Sequence, residues 1–256
     1  MAWLETVSAT FTARHGSADA EDARRVLAQL ERARTALERL FDRGVGPVAV
    51  VLHGSPWQLA LAQPAVPVLR ALSAPAARRY LVGVPARDEL HLLAPRLLAR
   101  RASGAPGSLE LLMLAPVALF ARLLLAANNP RLPPPHHVRR VATALRWAWL
   151  VEGAAQFLSG ATAHLRPAVA RRLREPPAPL FPPARRDAVL LGGTVFDLLA
   201  RERGAQACVD LAVGLHPEGP AAALVEAFDG RPLEQSAQAW RSHLERFAGP
   251  SRRASA

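Results

Sequence analysis

One acidic side chain lies within an otherwise apolar stretch of this 256-residue chain. The stretch is WAWLVEGAAQFLSG, from Trp147 to Gly160, and it contains the carboxylate of Glu152. A carboxylate on a buried helix face requires a partner, which is a metal ion, a cationic side chain or a hydrogen-bond donor. The identity of that partner decides what chemistry the segment can perform.

Histidines are the first candidates, because imidazole and carboxylate together bind zinc. His136 and His137 follow three prolines and, with Glu152, would form a non-standard metal site. Adjacent residues of an extended chain point in opposite directions, so we do not expect both to bind one ion. His53 ends the segment VVLHGS, where it would serve as a switch, as a site residue or simply as a hydrogen-bonded side chain.

Nucleophilic chemistry has less support from the sequence. Ser55 lies in HGSP, but the chain has no G-x-S-x-G motif and no spacing that defines a catalytic triad. Cys208 is the only cysteine, and its apolar helical context predicts a small core residue. A single cysteine forms neither an internal disulfide nor a cysteine-rich zinc site.

Three segments resemble gluzincin zinc metallopeptidases, the peptidase MA-like group. WLVEGAAQFLSG is similar to the W-L-x-E-G-[LA]-A-[EQ]-[YF] segment of that family. Residues 190–215 resemble its later helix pair, and residues 220–244, with Trp240, resemble its C-terminal segment. The resemblance covers most of the chain, but only around 147–160 and 220–244 is it close enough to count as a sequence motif.

Active members of the family carry H-E-x-x-H on one helix, with two zinc-binding histidines one turn apart and a glutamate general base. The resemblance makes Glu152 the third zinc ligand, beside an open position at which zinc acidifies water. No histidine of this chain is followed by glutamate, so H-E-x-x-H is absent. The only tyrosine, Tyr80, also lies far from the helix that would carry the family's transition-state residue. The resemblance therefore implies a pseudoenzyme that uses no metal or other cofactor.

The helix expected to carry the lost motif is APVALFARLLLAANNP, residues 115–130, with the motif window near Ala118 to Arg122. An arginine there would replace the positive charge of zinc, so we predict a bidentate ion pair between Arg122 and Glu152. The open alternative is that Glu152 reaches solvent or pairs along its own helix face, with Arg139, Arg140 or Arg146.

Small and aromatic residues complete the predicted site. Gly192 and Gly193 interrupt a helical pattern at a cost of about 1 kcal/mol each relative to alanine, which indicates a close helix–helix approach facing the Glu152 helix. The tryptophans at 147 and 149 are expected in the core or in a cleft wall. The residues that we expect along an inter-lobe cleft are Glu152, Arg122, Trp149, Gln156 and Gly193.

The elements that position these residues change type near residue 108. Before it, strand patterns occur at 8–14, 47–54, 80–85 and 89–95, with a one-sided apolar helix at 18–43. After it, helices are predicted at 109–127, 138–160, 187–203, 205–215, 220–228 and 232–247. We therefore predict an α+β, metallopeptidase-like fold. An N-terminal α/β lobe (1–107), with a small mixed sheet and a long helix, precedes a mainly helical lobe (108–248) and a disordered tail (249–256).

Composition limits the class of protein. The chain is half apolar, and its 32 basic residues, all arginine, exceed its 21 acidic ones to give a net charge of +11. The arginines are spread along the sequence and aromatic residues make up 5%, so we do not expect nucleic-acid binding. The apolar run at 109–127 contains Arg122, which would cost about 3 kcal/mol near a bilayer centre, so we predict a core helix bent at Pro116.

These observations lead to three functional hypotheses. The first is a cytoplasmic, catalytically inactive metallopeptidase-like protein without a transmembrane segment, whose cleft binds a peptide or a protein partner. The second is an active zinc-dependent hydrolase whose non-standard ligands include His53, His136 or His137. The third is a basic module associated with membranes or nucleic acid, which would require the arginines to cluster on one face.

Overall fold

The computed structural model of the chain describes residues 3–72, 77–132 and 141–249. Within them the fold is α+β, as predicted, with one five-stranded mixed sheet in the order β1-β2-β3-β5-β4. Strands β2, β3 and β5 are parallel, and β1 and β4 pair antiparallel with their neighbours. The strands are β1 (Leu4–Val7), β2 (Phe11–His15), β3 (Val48–His53), β4 (Gly83–Pro85) and β5 (Glu89–Leu93).

Helices form most of the rest of the described structure. None of them, within the described ranges, has the length and apolar character needed to cross a membrane. The helices are α1 (Ala20–Leu37), α2 (Pro56–Ala62), α3 (Ala65–Leu72), α4 (Ser108–Met113), α5 (Ala115–Asn128), α6 (Val141–Arg146), α7 (Ala148–Leu158), α8 (Arg166–Arg172), α9 (Arg185–Val213), α10 (Pro220–Ala227) and α11 (Leu233–Ala248).

The N-terminal strand prediction at 8–14 was wrong in its bounds. Residues 8–10 instead connect the hairpin of β1 and β2, because Glu31 of α1 binds them there. Its carboxylate accepts hydrogen bonds from the hydroxyl of Ser8 at 2.6 Å and from the backbone N–H of Thr10 at 2.7 Å. The long helix predicted at 18–43 also ends earlier, at Leu37.

The apolar run at 109–127 is two helices rather than one helix bent at Pro116. Helix α4 ends at Met113 and α5 begins at Ala115. Proline lacks the N–H that would continue the helix and clashes with the carbonyl four residues earlier, so the break falls just before it. The predicted helix at 138–160 is likewise divided at Trp147, and its residues 138–140 lie outside the described part of the chain.

A continuous hydrophobic core joins the sheet to the helices. One face of the sheet packs against α1 and α5, where the Phe11 and Phe120 rings meet edge to face at 5.4 Å. The same buried cluster extends through α7 and α9 to Trp240 of α11. The lobe boundary at residue 107/108 stays a prediction.

Helices α7 and α9 contact each other through glycine, as the sequence predicted. A Cβ added to Gly153 would lie 2.5 Å from the carbonyl oxygen of Gly192, and one added to Gly192 would lie 2.5 Å from that of Trp149. Only glycine permits this backbone approach. Farther along α9, Gly204 (φ 86°, ψ 173°) separates the two segments that the sequence predicted on either side of it.

We expect Gly153→Ala to lower the free energy of unfolding by about 3 kcal/mol, since the added methyl group must push two helix backbones apart. Urea unfolding of the variant and the wild type measures this difference. Gly46→Ala is the matched control, because nothing lies within 4 Å of a Cβ at that position. Equal stability of the two variants would contradict the close packing of α7 on α9.

Candidate functional site

Glu152 of α7 forms an ion pair with Arg122 of α5, which confirms the predicted contact. The guanidinium Nη2 donates to the carboxylate Oε2. Both side chains are mostly buried, with 28% and 24% of their surfaces exposed. The prediction that the pair is bidentate was wrong, because one hydrogen bond joins the two side chains. The Nε of Arg122 is buried and has no acceptor among the described residues.

Of the alternative partners, Arg146 instead donates from Nη2 to the carbonyl oxygen of Glu218 at 3.2 Å. Glu152 does reach solvent in part, since 24% of its side chain is exposed. Arg139 and Arg140 lie outside the described residues. Because α5 and α7 pack directly against each other, the ion pair crosses a helix–helix contact.

Residues 118–122, where the sequence placed the window of the lost zinc motif, lie within α5. Ala118 and Arg122 are one turn apart and partly exposed, whereas Leu119 between them is buried. Two histidines at the first and last of these positions would face the Glu152 helix, as Arg122 does.

The residues present do not fit a zinc ion. Helix α5 offers no imidazole, and its Arg122 is a cation that repels a metal. Within residues 3–72, 77–132 and 141–249, no group of three or more His, Cys, Asp or Glu side chains is placed to hold a metal ion. His136 and His137 fall outside these ranges.

The other predicted cleft residues connect helices. Gln156 of α7 donates from Nε2 to the carbonyl oxygen of Val189 on α9. A Cβ at Gly193 would lie 3.0 Å from the Oε1 of that same glutamine. Trp149 is buried, with its ring 6.3 Å from that of Phe196. The structure thus brings Arg122 together with Glu152 and Gln156 together with Gly193, and it places Trp149 in the core.

A second polar cluster lies on the face of the sheet opposite α1. His53 Nε2 lies 3.1 Å from His91 Nδ1, and His91 Nε2 lies 3.0 Å from Glu89 Oε2. An ionised Glu89 accepts, so His91 donates through Nε2 and its Nδ1 accepts from His53. The other ring nitrogen of neutral His53, Nδ1, then carries a lone pair and no hydrogen, so it is an acceptor. It is buried and has no partner among the described residues.

Neighbouring groups fix the charge state of this histidine pair. Burial, and then His91, lower the pKa of His53 from 6.5 to about 4. Arg14 lies 3.7 Å from Glu89 and 3.5 Å from Glu5. It reaches Glu89 from two strands away, from β2 across β3 to β5. Trp3 contacts the His53 ring edge to face. His53 is therefore a hydrogen-bonded, neutral histidine, and its partner is His91.

The sequence did not indicate the buried pair of Arg172 and Asp187. Two hydrogen bonds, of 2.7 and 2.9 Å, join them. Arg172 also donates to the carbonyl oxygens of Glu175 and Pro177, so it holds the proline-rich connection against the start of α9. Both residues come from basic, proline-flanked segments that are typical of exposed loops, and no local pattern could have paired them.

Cys208 is a core residue, as predicted. Its thiol donates to the carbonyl oxygen of Phe196 at 3.3 Å, and burial raises its pKa to about 12. Although Asp197 and His243 lie 3.0 Å apart nearby, a thiol that stays protonated is not a nucleophile at neutral pH.

Compared with protein-family models and with curated proteins, the sequence has no match. The functional interpretation therefore depends on the geometry of the described residues and on the segments around Glu152.

We expect acid to destabilise the protein through His53. In the unfolded chain the His53 ring takes up a proton below pH 6.5, whereas in the native state it does so only at about pH 4. The free energy of unfolding therefore has its full value, as far as His53 is concerned, above pH 6.5. It falls by on the order of 2 kcal/mol as the pH drops toward 4. Urea unfolding between pH 7 and pH 4.5 should show a shallower decline for His53→Asn and His53→Gln. Curves for both variants that run parallel to the wild type would contradict this assignment.

Proposed function

We propose that this protein is a non-catalytic, metallopeptidase-like protein in which the Arg122–Glu152 ion pair takes the place of a zinc centre. The observation that carries the proposal is the pair itself. It joins the acid that the family resemblance makes a zinc ligand to the helix that would carry the zinc histidines. The guanidinium supplies the positive charge that a carboxylate in this environment requires.

The position of the general base supports the same conclusion. In H-E-x-x-H the base follows the first histidine directly, and in this register it would be residue 119. That residue is leucine, and it is buried in the core cluster with Val117 and Phe120. Even a bound metal would therefore have no glutamate beside it to take a proton from water. Loss of both histidines together with the base favours a binding role over hydrolysis.

We further propose that the ligand is a peptide or a protein segment, bound between the N-terminal α/β lobe and the helical lobe. The ion pair supports this class of ligand because it is not fully buried. It places a donor and an acceptor of opposite charge at the contact of α5 and α7, and extended peptides offer the complementary amide groups.

A grafted zinc site tests the proposal. The double substitution Ala118→His and Arg122→His should create two imidazoles one turn apart, with Glu152 as the third ligand. We expect the purified variant to bind one zinc ion per chain. Plasma mass spectrometry measures the zinc, and the visible absorption of the cobalt-substituted protein reports a tetrahedral site.

Two controls make the graft decisive. Adding Glu152→Gln to the grafted chain should weaken zinc binding strongly, and the unmodified chain should bind none. A graft that binds no better than the wild type, or that is indifferent to residue 152, would contradict the assignment of Glu152 to a ligand position. Stoichiometric zinc in the unmodified chain, lost with Glu152→Gln, would favour the active hydrolase instead.

A further inference from the structure

Helices α2 and α3 present apolar side chains to solvent. Trp57 and Leu61 lie one turn apart on α2 and are 70% and 62% exposed, and Val68 on α3 is 57% exposed. The opposite side of the two helices is anchored, because Leu59 and Val66 are buried in a cluster with Val84 and Leu93 of the sheet. The exposed side chains are therefore held outward by a packed core.

The sequence of α2, α3 and the segments that flank them contains no negative charge. Residues 54–69 carry no charged side chain, and residues 43–87 contain no aspartate or glutamate. A further exposed aromatic ring lies beside the start of α2. Trp3 contacts His53, four residues before Trp57, and is 52% exposed. Several large apolar side chains exposed on two neighbouring helices are uncommon on protein surfaces that contact only water.

Arginines cluster at the end of α3. Arg101 donates from Nε to the carbonyl oxygen of Arg79 and from Nη2 to that of Arg78, both at 3.0 Å. Burial, and then the charges of Arg70 and Arg79, lower the pKa of Arg101. Among the described residues, no carboxylate forms an ion pair with Arg70, Arg79 or Arg101. The fold thus brings three of the 32 arginines close together, although the sequence spreads them along the chain.

We propose that the exposed apolar side chains of α2 and α3, Trp57, Leu61 and Val68, together with the arginines clustered at the end of α3, dock this protein on the surface of an anionic lipid bilayer. The apolar side chains enter the boundary between headgroups and acyl chains, and the guanidinium groups bind lipid phosphates. Both kinds of contact are needed, because a few apolar residues alone, or a few charges alone, do not hold a protein at a membrane.

The apolar side chains distinguish this occupant from nucleic acid. A phosphodiester backbone satisfies the arginines but leaves Leu61 and Val68 in water, whereas a bilayer accepts both kinds of group. Binding to single strands would also require several aromatic rings along a basic groove, and α2 carries one.

Vesicle cosedimentation tests the proposal on the full chain. We expect binding to vesicles of phosphatidylcholine mixed with phosphatidylserine and little binding to phosphatidylcholine alone. Trp57→Ser with Leu61→Ser should weaken binding about tenfold or more, through lost apolar burial. Arg70→Gln with Arg79→Gln should weaken it by about fivefold per charge.

Matched controls alter other surfaces. Leu180→Ser removes a side chain that is 65% exposed, and Arg185→Gln with Arg241→Gln removes two exposed charges from the helical part of the chain. Both should bind like the wild type. Circular dichroism of every variant excludes unfolding.

Three outcomes would overturn the proposal. One is the absence of binding to anionic vesicles, and another is equal loss in the control variants. The third is binding that depends on the arginines but not on Trp57 and Leu61 and that a DNA duplex abolishes by competition, which would identify a nucleic-acid surface.

Discussion

The backbone contact between Gly153 and Gly192 fixes α7 against α9 and so sets the position of Glu152. The two helix backbones touch without intervening side chains. This contact fixes the rotation of α7 about its axis and its position along α9, and with them the position of residue 152. The carboxylate then points toward α5, where Arg122 is the residue in reach. Replacing either glycine would move the acid as a rigid part of its helix, so the geometry of the candidate site depends on a contact that takes no part in its chemistry.

The ion pair explains how this core tolerates an acid. An unpaired carboxylate at a helix–helix contact loses hydration without compensation, and a cation across the contact restores most of that loss. Such a pair contributes little net stability compared with two apolar residues, yet removal of one partner leaves the other unpaired. A chain that lost its zinc histidines while keeping the acid would therefore be under pressure to acquire a cation on α5. Arginine meets that need without a metal, which links the proposed loss of catalysis to the physical requirements of folding.

Local sequence patterns predicted the helices and strands better than they predicted which side chains pair in the fold. The one-sided stripe of α1, the β-branched run of β3 and the glycine break within α9 were visible in the sequence because each is a short-range effect. The pairing of Arg122 with Glu152 was predictable because the family resemblance supplied the long-range placement. Nothing comparable identified Arg172 with Asp187, Glu89 with the two histidines, or the grouping of Arg70, Arg79 and Arg101. Those contacts join residues whose neighbours in sequence give no sign of the pairing, and only the tertiary fold brings them together.

The central claim is that the partner of Glu152 is the side chain of Arg122, and a double-mutant cycle tests it most directly. Urea unfolding of Arg122→Met, of Glu152→Gln and of the combined variant gives the interaction free energy between the two residues. For a mostly buried pair we expect a coupling of about 1–2 kcal/mol, with the combined variant more stable than the sum of the single losses implies. Losses that add within about 0.5 kcal/mol would show that the two side chains do not interact, and the acid would then need a different partner.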